Sequence, residues 1–148
     1  MWIQNVSMTS LINGLHYFAE HKTVLIQIQD VGTTFATPLY DDKFVEKYQF
    51  QFMDNDVKTD PDNITDDQAK QIAEILVNAK ERNLNIVVSC HAGLCRSGAV
   101  ADVGIQFGFD DTETQRMPNI LVKNRIKEHL GMTVDYNEIF KFTLSDWE

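Results

Sequence analysis

Positive charge, cysteine and long apolar runs are all scarce in this sequence. Its 13 Lys and Arg residues are outnumbered by 22 Asp and Glu residues, which gives a formal net charge of −9 at pH 7. This surplus of negative charge argues against nucleic acid and anionic membrane surfaces as partners, because both repel an acidic protein. Any attraction for a phosphate group must therefore be local to one site.

Only two cysteines are present, Cys90 and Cys95, and a short loop separates them. Such a pair is not a disulfide framework, so we expect a reducing compartment. No segment reaches the roughly 18 apolar residues of a membrane span. The N-terminus also lacks the basic region and apolar core of a secretory signal. We therefore expect a cytoplasmic protein, while the oligomeric state stays open.

The chain has enough apolar residues for one substantial core. Its 148 residues, 43% of them hydrophobic, predict a single domain over positions 1–148. Ser7 or Thr9 is expected to cap the first helix, and Thr65 a later one. We predict strands at 2–7, 23–29, 44–52 and 86–90, and helices at 8–20, 65–82, 98–109, 118–130 and 135–142. This alternation predicts an α/β sandwich of three layers whose central sheet is mainly parallel.

The most informative stretch covers residues 86–98. A strand-like run ends at Cys90, a short loop with a glycine follows, and Arg96 and Ser97 then precede a helix-like run of small residues. A strand, a tight loop and a helix N-terminus in this order form a cradle for an anion, because loop amides and the helix dipole attract negative charge. No Lys follows the glycine, so this loop is not the P-loop of an NTPase.

The side chains of this loop point to phosphate chemistry. Cys90 lies at the base of the cradle near a fixed cation, so we expect a thiolate at neutral pH. Arg96 can hold two phosphate oxygens in a bidentate fork. Ser97 is placed to cap the helix and donate to the thiolate, and Gly93 lets the backbone turn toward a ligand. The sulfur would attack phosphorus in line and form a phosphocysteine intermediate.

The run Cys-His-Ala-Gly-Leu-Cys-Arg-Ser at positions 90–97 resembles the signature of the cysteine-dependent protein tyrosine phosphatases. The form with Ala-Gly in the middle is similar to the dual-specificity phosphatases and their compact bacterial and phage relatives. The resemblance implies a phosphatase-like fold, with Cys90 as nucleophile and Arg96 and Ser97 as further catalytic residues. The substrate-binding residues that it implies are His91, Ala92, Gly93, Leu94, Cys95 and Arg96. The family usually has His immediately before the nucleophile, where this chain has Ser89.

The same resemblance implies the reaction and its substrates. The enzyme would hydrolyse phosphate monoesters, either a phosphorylated protein or a small molecule, with no cofactor and no metal. Whether it acts on phosphotyrosine alone or on phosphoserine and phosphothreonine as well depends on pocket depth, which the sequence does not reveal.

The resemblance also implies a general acid, an Asp that follows a short strand upstream of the nucleophile. Asp54, just after the predicted strand at 44–52, matches best, and Asp56 is the reserve. A carboxyl group on a loop can supply the proton that the leaving oxygen needs. The alternative interpretation is a solvated acidic turn, since more Asp residues follow. Calcium binding of the EF-hand type is rejected, because the central Gly and terminal Glu are missing.

Other interpretations of the loop stay open. Cys95 either packs or serves as a redox partner of Cys90; low-molecular-weight tyrosine phosphatases carry a Cys at the same spacing, but in a loop at their N-terminus. A zinc site formed by Cys90, His91 and Cys95 lacks a fourth ligand. A phosphate-binding module without catalysis and a rhodanese-type sulfurtransferase are the alternatives to a phosphatase. Turnover of a chromogenic aryl phosphate would separate the binding module from the enzyme.

Overall fold

The structure of the protein, a computed structural model, describes residues 1–18 and 22–134. Its strands are β1 (Trp2–Ser7), β2 (Thr23–Gln29), β3 (Glu46–Gln51), β4 (Asn85–Cys90) and β5 (Asp110–Asp111). They form one sheet in the order β3-β2-β4-β1-β5, and every strand pair within the described residues is parallel. The predicted α/β class with a mainly parallel central sheet is confirmed.

The helices cover the two faces of the sheet unequally. They are α1 (Met8–Ile12), α2 (Asp66–Glu81), α3 (Arg96–Phe107) and α4 (Ile120–His129). The larger core joins α2, α3 and α4 to the sheet face that carries Ile26 and Val88. A smaller cluster on the opposite face joins Leu11 of α1 to Leu25 and Val87. None of the helices in the described ranges is long and apolar enough to cross a membrane.

Glutamine side chains hold a loop against the face that α1 leaves uncovered. Gln27 is 1% exposed, and its Nε2 donates to the carbonyl oxygen of Ala36 at 2.9 Å. Gln29 likewise donates to the carbonyl oxygen of Thr34 at 2.9 Å and accepts from the Ala36 amide at 2.9 Å. Because buried amide groups need hydrogen-bond partners, these contacts fix the path of the loop that follows β2.

The first helix is much shorter than predicted. α1 ends at Ile12 rather than near residue 20, although Ser7 caps it as expected, with its hydroxyl accepting from the Ser10 amide at 3.0 Å. Gly14 then adopts φ +69, and a Cβ there would lie 2.6 Å from a ring carbon of Tyr40. The helix ends here because Gly14 adopts a left-handed conformation, in which other residues would be sterically strained.

The remaining boundaries differ by small amounts. Thr65 caps α2 in a capping box with Gln68, as the sequence predicts for the cap. α3 begins at Arg96, slightly before the predicted start. β5 adds a short edge strand between two predicted helices, where no strand was expected. The predicted helix at 135–142 lies outside the described residues.

Candidate active site

The loop between β4 and α3 lies where the carboxyl ends of neighbouring strands meet. Cys90 is the last residue of β4 and lies in register with Ser7, the last residue of β1. β2 flanks β4 on the other side, and Asp30 directly follows it. In parallel α/β sheets, ligands bind in the crevice outside the carboxyl ends of the strands. The predicted anion cradle therefore lies at the binding edge of the sheet.

The carbonyl groups of this loop point away from its centre and are bonded to surrounding elements. Four of them accept hydrogen bonds from other parts of the chain: His91 O from Met8 N (3.3 Å), Gly93 O from Asn5 Nδ2 (2.8 Å), Leu94 O from Met117 N (3.0 Å) and Cys95 O from Asn119 N (3.0 Å). These hydrogen bonds tie the loop backbone to β1 and α1, to Met117 and to the N-terminus of α4.

The amide groups of the loop are left unused. Among the hydrogen bonds of residues 1–18 and 22–134, none has the amide N–H of residues 92–95 as its donor. Consecutive amides that face inward while the carbonyls face outward form a concave nest for an anion. The N-terminus of α3 begins at the end of this nest and adds its partial positive charge. A loop backbone with unused amides at a helix N-terminus is chemically suited to an oxyanion or a phosphate group.

Gly93 and Asn5 seat the loop on the end of β1. Gly93 has φ +74, and a Cβ there would lie 2.3 Å from the backbone nitrogen of Ser7. Asn5 is fully buried, and its Nδ2 donates both to Gly93 O at 2.8 Å and to Gln115 O at 2.9 Å. The sequence analysis did not identify Asn5 as a site residue. β1 also contains Gln4 and Ser7, so Asn5 has no distinctive local signal in the sequence.

The sulfur of Cys90 lies buried beneath the loop, with Ser97 against it. Cys90 is 3% exposed and Ser97 is fully buried. The Ser97 hydroxyl oxygen lies 3.0 Å from Sγ, and the Ser97 amide donates to Sγ at 3.4 Å. The N-cap position of α3 belongs to Cys95, so Ser97 does not cap the helix as was expected. Its hydroxyl instead lies beside the sulfur. When that sulfur is ionised it has no hydrogen to donate, so the Ser97 hydroxyl is then the donor.

Arg96 is buried at the far end of the loop, with its Nη1 hydrogen-bonded and its Nε without a partner in the described residues. Its Nη1 donates to Asp30 Oδ1 at 2.8 Å and to the carbonyl oxygen of Phe52 at 2.8 Å. Its Nε is buried and has no hydrogen-bond partner within the described residues. A buried charged donor without a partner is costly, so an anionic ligand would relieve it. Nε is therefore the donor of Arg96 for which an anionic ligand would supply the missing partner.

Asp30 is a second site residue that the sequence analysis missed. It lies just after the strand predicted at 23–29, and in the structure it directly follows β2, the neighbour of β4 in the sheet. Its carboxylate is 46% exposed and pairs with a guanidinium that is 5% exposed. The signal was the position itself, because the carboxyl ends of adjacent parallel strands converge on one edge.

The predicted acid residues line a cavity beside the loop. This cavity of about 560 Å³ is bordered by Asp54, Asn55, Asp56, Cys95, Met117, Pro118, Asn119 and Ile120. Burial raises the pKa of the Cys95 thiol, and the charge of Asp54 together with a hydrogen bond to it raises that pKa further. Cys95 and Asp54 thus lie near each other on the border of the same cavity. Both cysteines are free, so a redox pair stays a prediction.

The predicted site residues are grouped at the loop between β4 and α3, but they do not line one common cavity. Cys90, Ser97 and Arg96 are buried. Asp54 and Cys95 border the cavity on one side, and His91 lines a separate cavity with Asp30. His91 and Ala92 are exposed at the rim. Ser89 is buried in β4, and it lies in register with Val6. Asp56 borders the same cavity as Asp54, and its Oδ2 is buried without a hydrogen-bond partner in the described part of the chain.

Metal ligands are not grouped in the described ranges of the chain. No set of three or more His, Cys, Asp or Glu side chains there is arranged to hold a metal ion.

Comparison with known proteins adds little to this geometry. Neither a protein-family model nor a curated protein matches the chain. Among solved structures, OH1 from the Orf virus, described as a tyrosine phosphatase with distinct structural features and triple substrate specificity, aligns with a TM-score of 0.44 and 17% sequence identity. The alignment covers 70% of this chain and 53% of that one, so the chain spans about half the length of the viral protein. A similarity of this size carries no functional argument.

Proposed function

We propose that this protein is a cysteine-dependent phosphatase of the dual-specificity type, which hydrolyses phosphate monoesters through a phosphocysteine intermediate. One observation carries the proposal: a buried sulfur and a buried guanidinium lie at opposite ends of a short loop, the amides of residues 92–95 donate no hydrogen bond within the described residues, and the guanidinium Nε has no partner there. This arrangement matches a tetrahedral dianion, with the amides and Arg96 for its equatorial oxygens and the sulfur beneath phosphorus. Phosphorylated proteins or small phosphomonoesters are the proposed substrates.

In the first step the thiolate of Cys90 attacks phosphorus on the side opposite the ester oxygen. A sulfur–phosphorus bond forms while the phosphorus–oxygen bond to the leaving group breaks. The electron pair of that bond goes to the leaving oxygen, which takes a proton from the Asp54 carboxyl. Arg96 and the loop amides stabilise the charge on the transferring phosphoryl group.

In the second step water attacks the phosphocysteine. The Asp54 carboxylate takes a proton from that water, an oxygen–phosphorus bond forms, and the sulfur–phosphorus bond breaks. The electron pair returns to Cys90, and inorganic phosphate leaves. Ser97 supports both steps, because its hydroxyl lies 3.0 Å from the sulfur and can donate to the thiolate. The cycle needs neither an oxidant nor a reductant.

Asp54 is the proposed acid because of its position relative to the loop. Its charge raises the pKa of the thiol of Cys95, the residue directly before Arg96. It also borders the open cavity beside the loop. The organic part of a bound monoester would occupy this cavity, where its ester oxygen comes within reach of a carboxyl group. Asp56 borders the same cavity and is the alternative acid.

Hydrolysis of 4-nitrophenyl phosphate tests the proposal. The wild-type protein should hydrolyse this substrate. Cys90→Ser should lose hydrolysis and still bind inorganic phosphate. Cys95→Ser, the matched thiol control, should keep hydrolysis. Arg96→Lys should lose both turnover and phosphate binding, because a point charge does not replace the planar fork. Phosphate binding by an inactive wild-type protein would indicate a binding module instead. Full activity of Cys90→Ser would overturn the mechanism.

A further inference from the structure

Asn119 connects three elements of the proposed active site. Its backbone amide donates to Cys95 O at 3.0 Å, which ties it to the phosphate loop. Its side-chain Nδ2 donates to Asp54 Oδ1 at 2.9 Å and to Asn55 O at 3.0 Å. Its Oδ1 accepts from the amide of Val122 at 3.1 Å, so the same side chain caps α4. One residue therefore contacts the phosphate loop, the loop with the proposed acid, and a helix N-terminus.

The side-chain bonds of Asn119 divide into two separable roles. The acceptor oxygen serves the helix, as in an ordinary N-cap. The amide nitrogen has two hydrogens, and both are donated to the acid loop, one to Asp54 and one to the backbone of Asn55. A cap alone needs only the acceptor, which Ser or Asp supplies equally well. The two donated bonds are therefore beyond what capping requires.

The backbone beside Asp54 is bonded elsewhere, with Met53 N donating to Asp62 O at 2.8 Å, but the Asp54 carboxylate itself has few restraints. Asp54 is exposed, and within the described residues its carboxylate accepts a hydrogen bond from Asn119 Nδ2 and raises the pKa of the nearby Cys95 thiol. An exposed loop residue samples many positions, whereas proton transfer requires the donor within hydrogen-bond reach of the leaving oxygen. The bond from Asn119 also acts on one oxygen only. An N–H group donates to an unprotonated carboxylate oxygen. Since Oδ1 accepts from Asn119, the proton that Asp54 transfers is carried by Oδ2.

We propose that Asn119 is a positioning residue that holds Asp54 over the phosphate loop and directs its proton-bearing oxygen toward the leaving group. This inference rests on the proposed function, in which Asp54 is the general acid. The anchor is rigid, because the backbone of Asn119 is itself bonded to the phosphate loop at Cys95. The distance between acid and phosphate is thereby fixed through a single residue.

Two substitutions separate positioning from capping. Asn119→Ser keeps a good helix cap, but its hydroxyl is too short to reach the acid loop as well. Asn119→Asp also keeps the cap and places a carboxylate, which has no hydrogen to donate, against Asp54. Thr65→Ala is the matched stability control, because it removes the cap of α2 and leaves Asn119 intact.

The readout is the dependence of the rate on the leaving group. For phenyl phosphate, whose leaving oxygen needs the proton, Asn119→Ser should lower kcat/KM by about 10- to 100-fold, the range expected from misplacing a catalytic group. Asn119→Asp should lower it further. For 4-nitrophenyl phosphate, both variants should stay within a few-fold of wild type, and Thr65→Ala should show no dependence on the leaving group. In an Asp54→Asn background, Asn119→Ser should cause no additional loss.

The outcomes distinguish this inference from the proposed function. If Asp54→Asn shows a loss with phenyl phosphate and Asn119→Ser does not, Asn119 is only a cap and the inference is wrong. Equal losses with both substrates in Asn119→Ser would place its effect on the phosphate loop and also overturn the inference. If Asp54→Asn itself shows no selective loss, the assignment of the acid fails, and the positioning role falls with it.

Discussion

The Nη1 of Arg96 lies 2.8 Å from Oδ1 of Asp30, so the first residue of α3 meets the residue that directly follows β2. The guanidinium is buried, whereas the carboxylate is about half exposed. The carboxylate and the carbonyl of Phe52 occupy one side of the fork and leave Nε for a ligand. Asp30 therefore orients Arg96, and it also offsets part of the charge that attracts phosphate.

Substitutions of Asp30 should separate orientation from charge. Asp30→Asn keeps an oxygen acceptor and removes the negative charge, so inorganic phosphate should inhibit a few-fold more strongly while kcat stays near wild type. Asp30→Ala removes the acceptor as well, and kcat should fall by about tenfold because the fork is less well held. Steady-state kinetics with phosphate as inhibitor measures both effects. Identical behaviour of the two variants would show that the hydrogen bond has no role.

Gly93→Ala should abolish activity. The new Cβ would meet the Ser7 backbone nitrogen at 2.3 Å, and the left-handed φ of +74 adds strain of about 1–3 kcal/mol. Gly32→Ala is the matched control, because Gly32 also has a positive φ (+85) but no atom lies near its Cβ position. We expect Gly32→Ala to lose some stability in urea unfolding and to keep its turnover. Loss of turnover in both variants would mean that strain, not close approach, is responsible.

The choice between two carboxylates can be tested directly. Asp54→Asn should lower kcat/KM for phenyl phosphate by about 10²–10⁴-fold, the usual contribution of a general acid. Its effect on 4-nitrophenyl phosphate should be small, since that leaving group hardly needs a proton. Asp56→Asn, the control, should show no dependence on the leaving group. The reverse pattern would assign the acid to Asp56.

Cys95 should make the stability of the protein fall at alkaline pH. Burial and the nearby Asp54 charge raise the pKa of its thiol in the folded protein, so the unfolded chain loses that proton first. Between the unfolded and folded pKa values the folded state binds more protons, and stability decreases as pH rises. Urea unfolding should therefore show a larger loss above about pH 8.5 in wild type than in Cys95→Ser. Asp54→Asn should reduce that loss, because part of its cause is removed; parallel profiles for all three proteins would contradict the assignment.

Local sequence patterns predicted most of the secondary structure and the order of residues in the central loop, whereas the chemistry of that loop stays a prediction. The apolar run of β2, the capping Thr65 of α2 and the order of Cys90, Arg96 and Ser97 are all visible within short windows of the chain. Periodicity, cap preference and loop composition are local properties, so the sequence was sufficient to predict them. The predicted length of α1 was wrong, because the helix ends just before Gly14, whose left-handed φ of +69 is a local stop that the prediction did not use.

The supports of the site were decided only by tertiary structure. Asn5 bonds the loop at Gly93, and Asn119 bonds Asp54, in each case across a long stretch of intervening sequence. A buried amide in a strand or a polar residue before a helix has the same local appearance whether or not it faces a ligand site. Which of them meet depends on the order in which the parallel strands pair, because that order decides which strand ends converge on β4. The sequence by itself therefore determined the succession of strands and helices and the residues of the loop, and the packing of the sheet determined which side chains hold that loop.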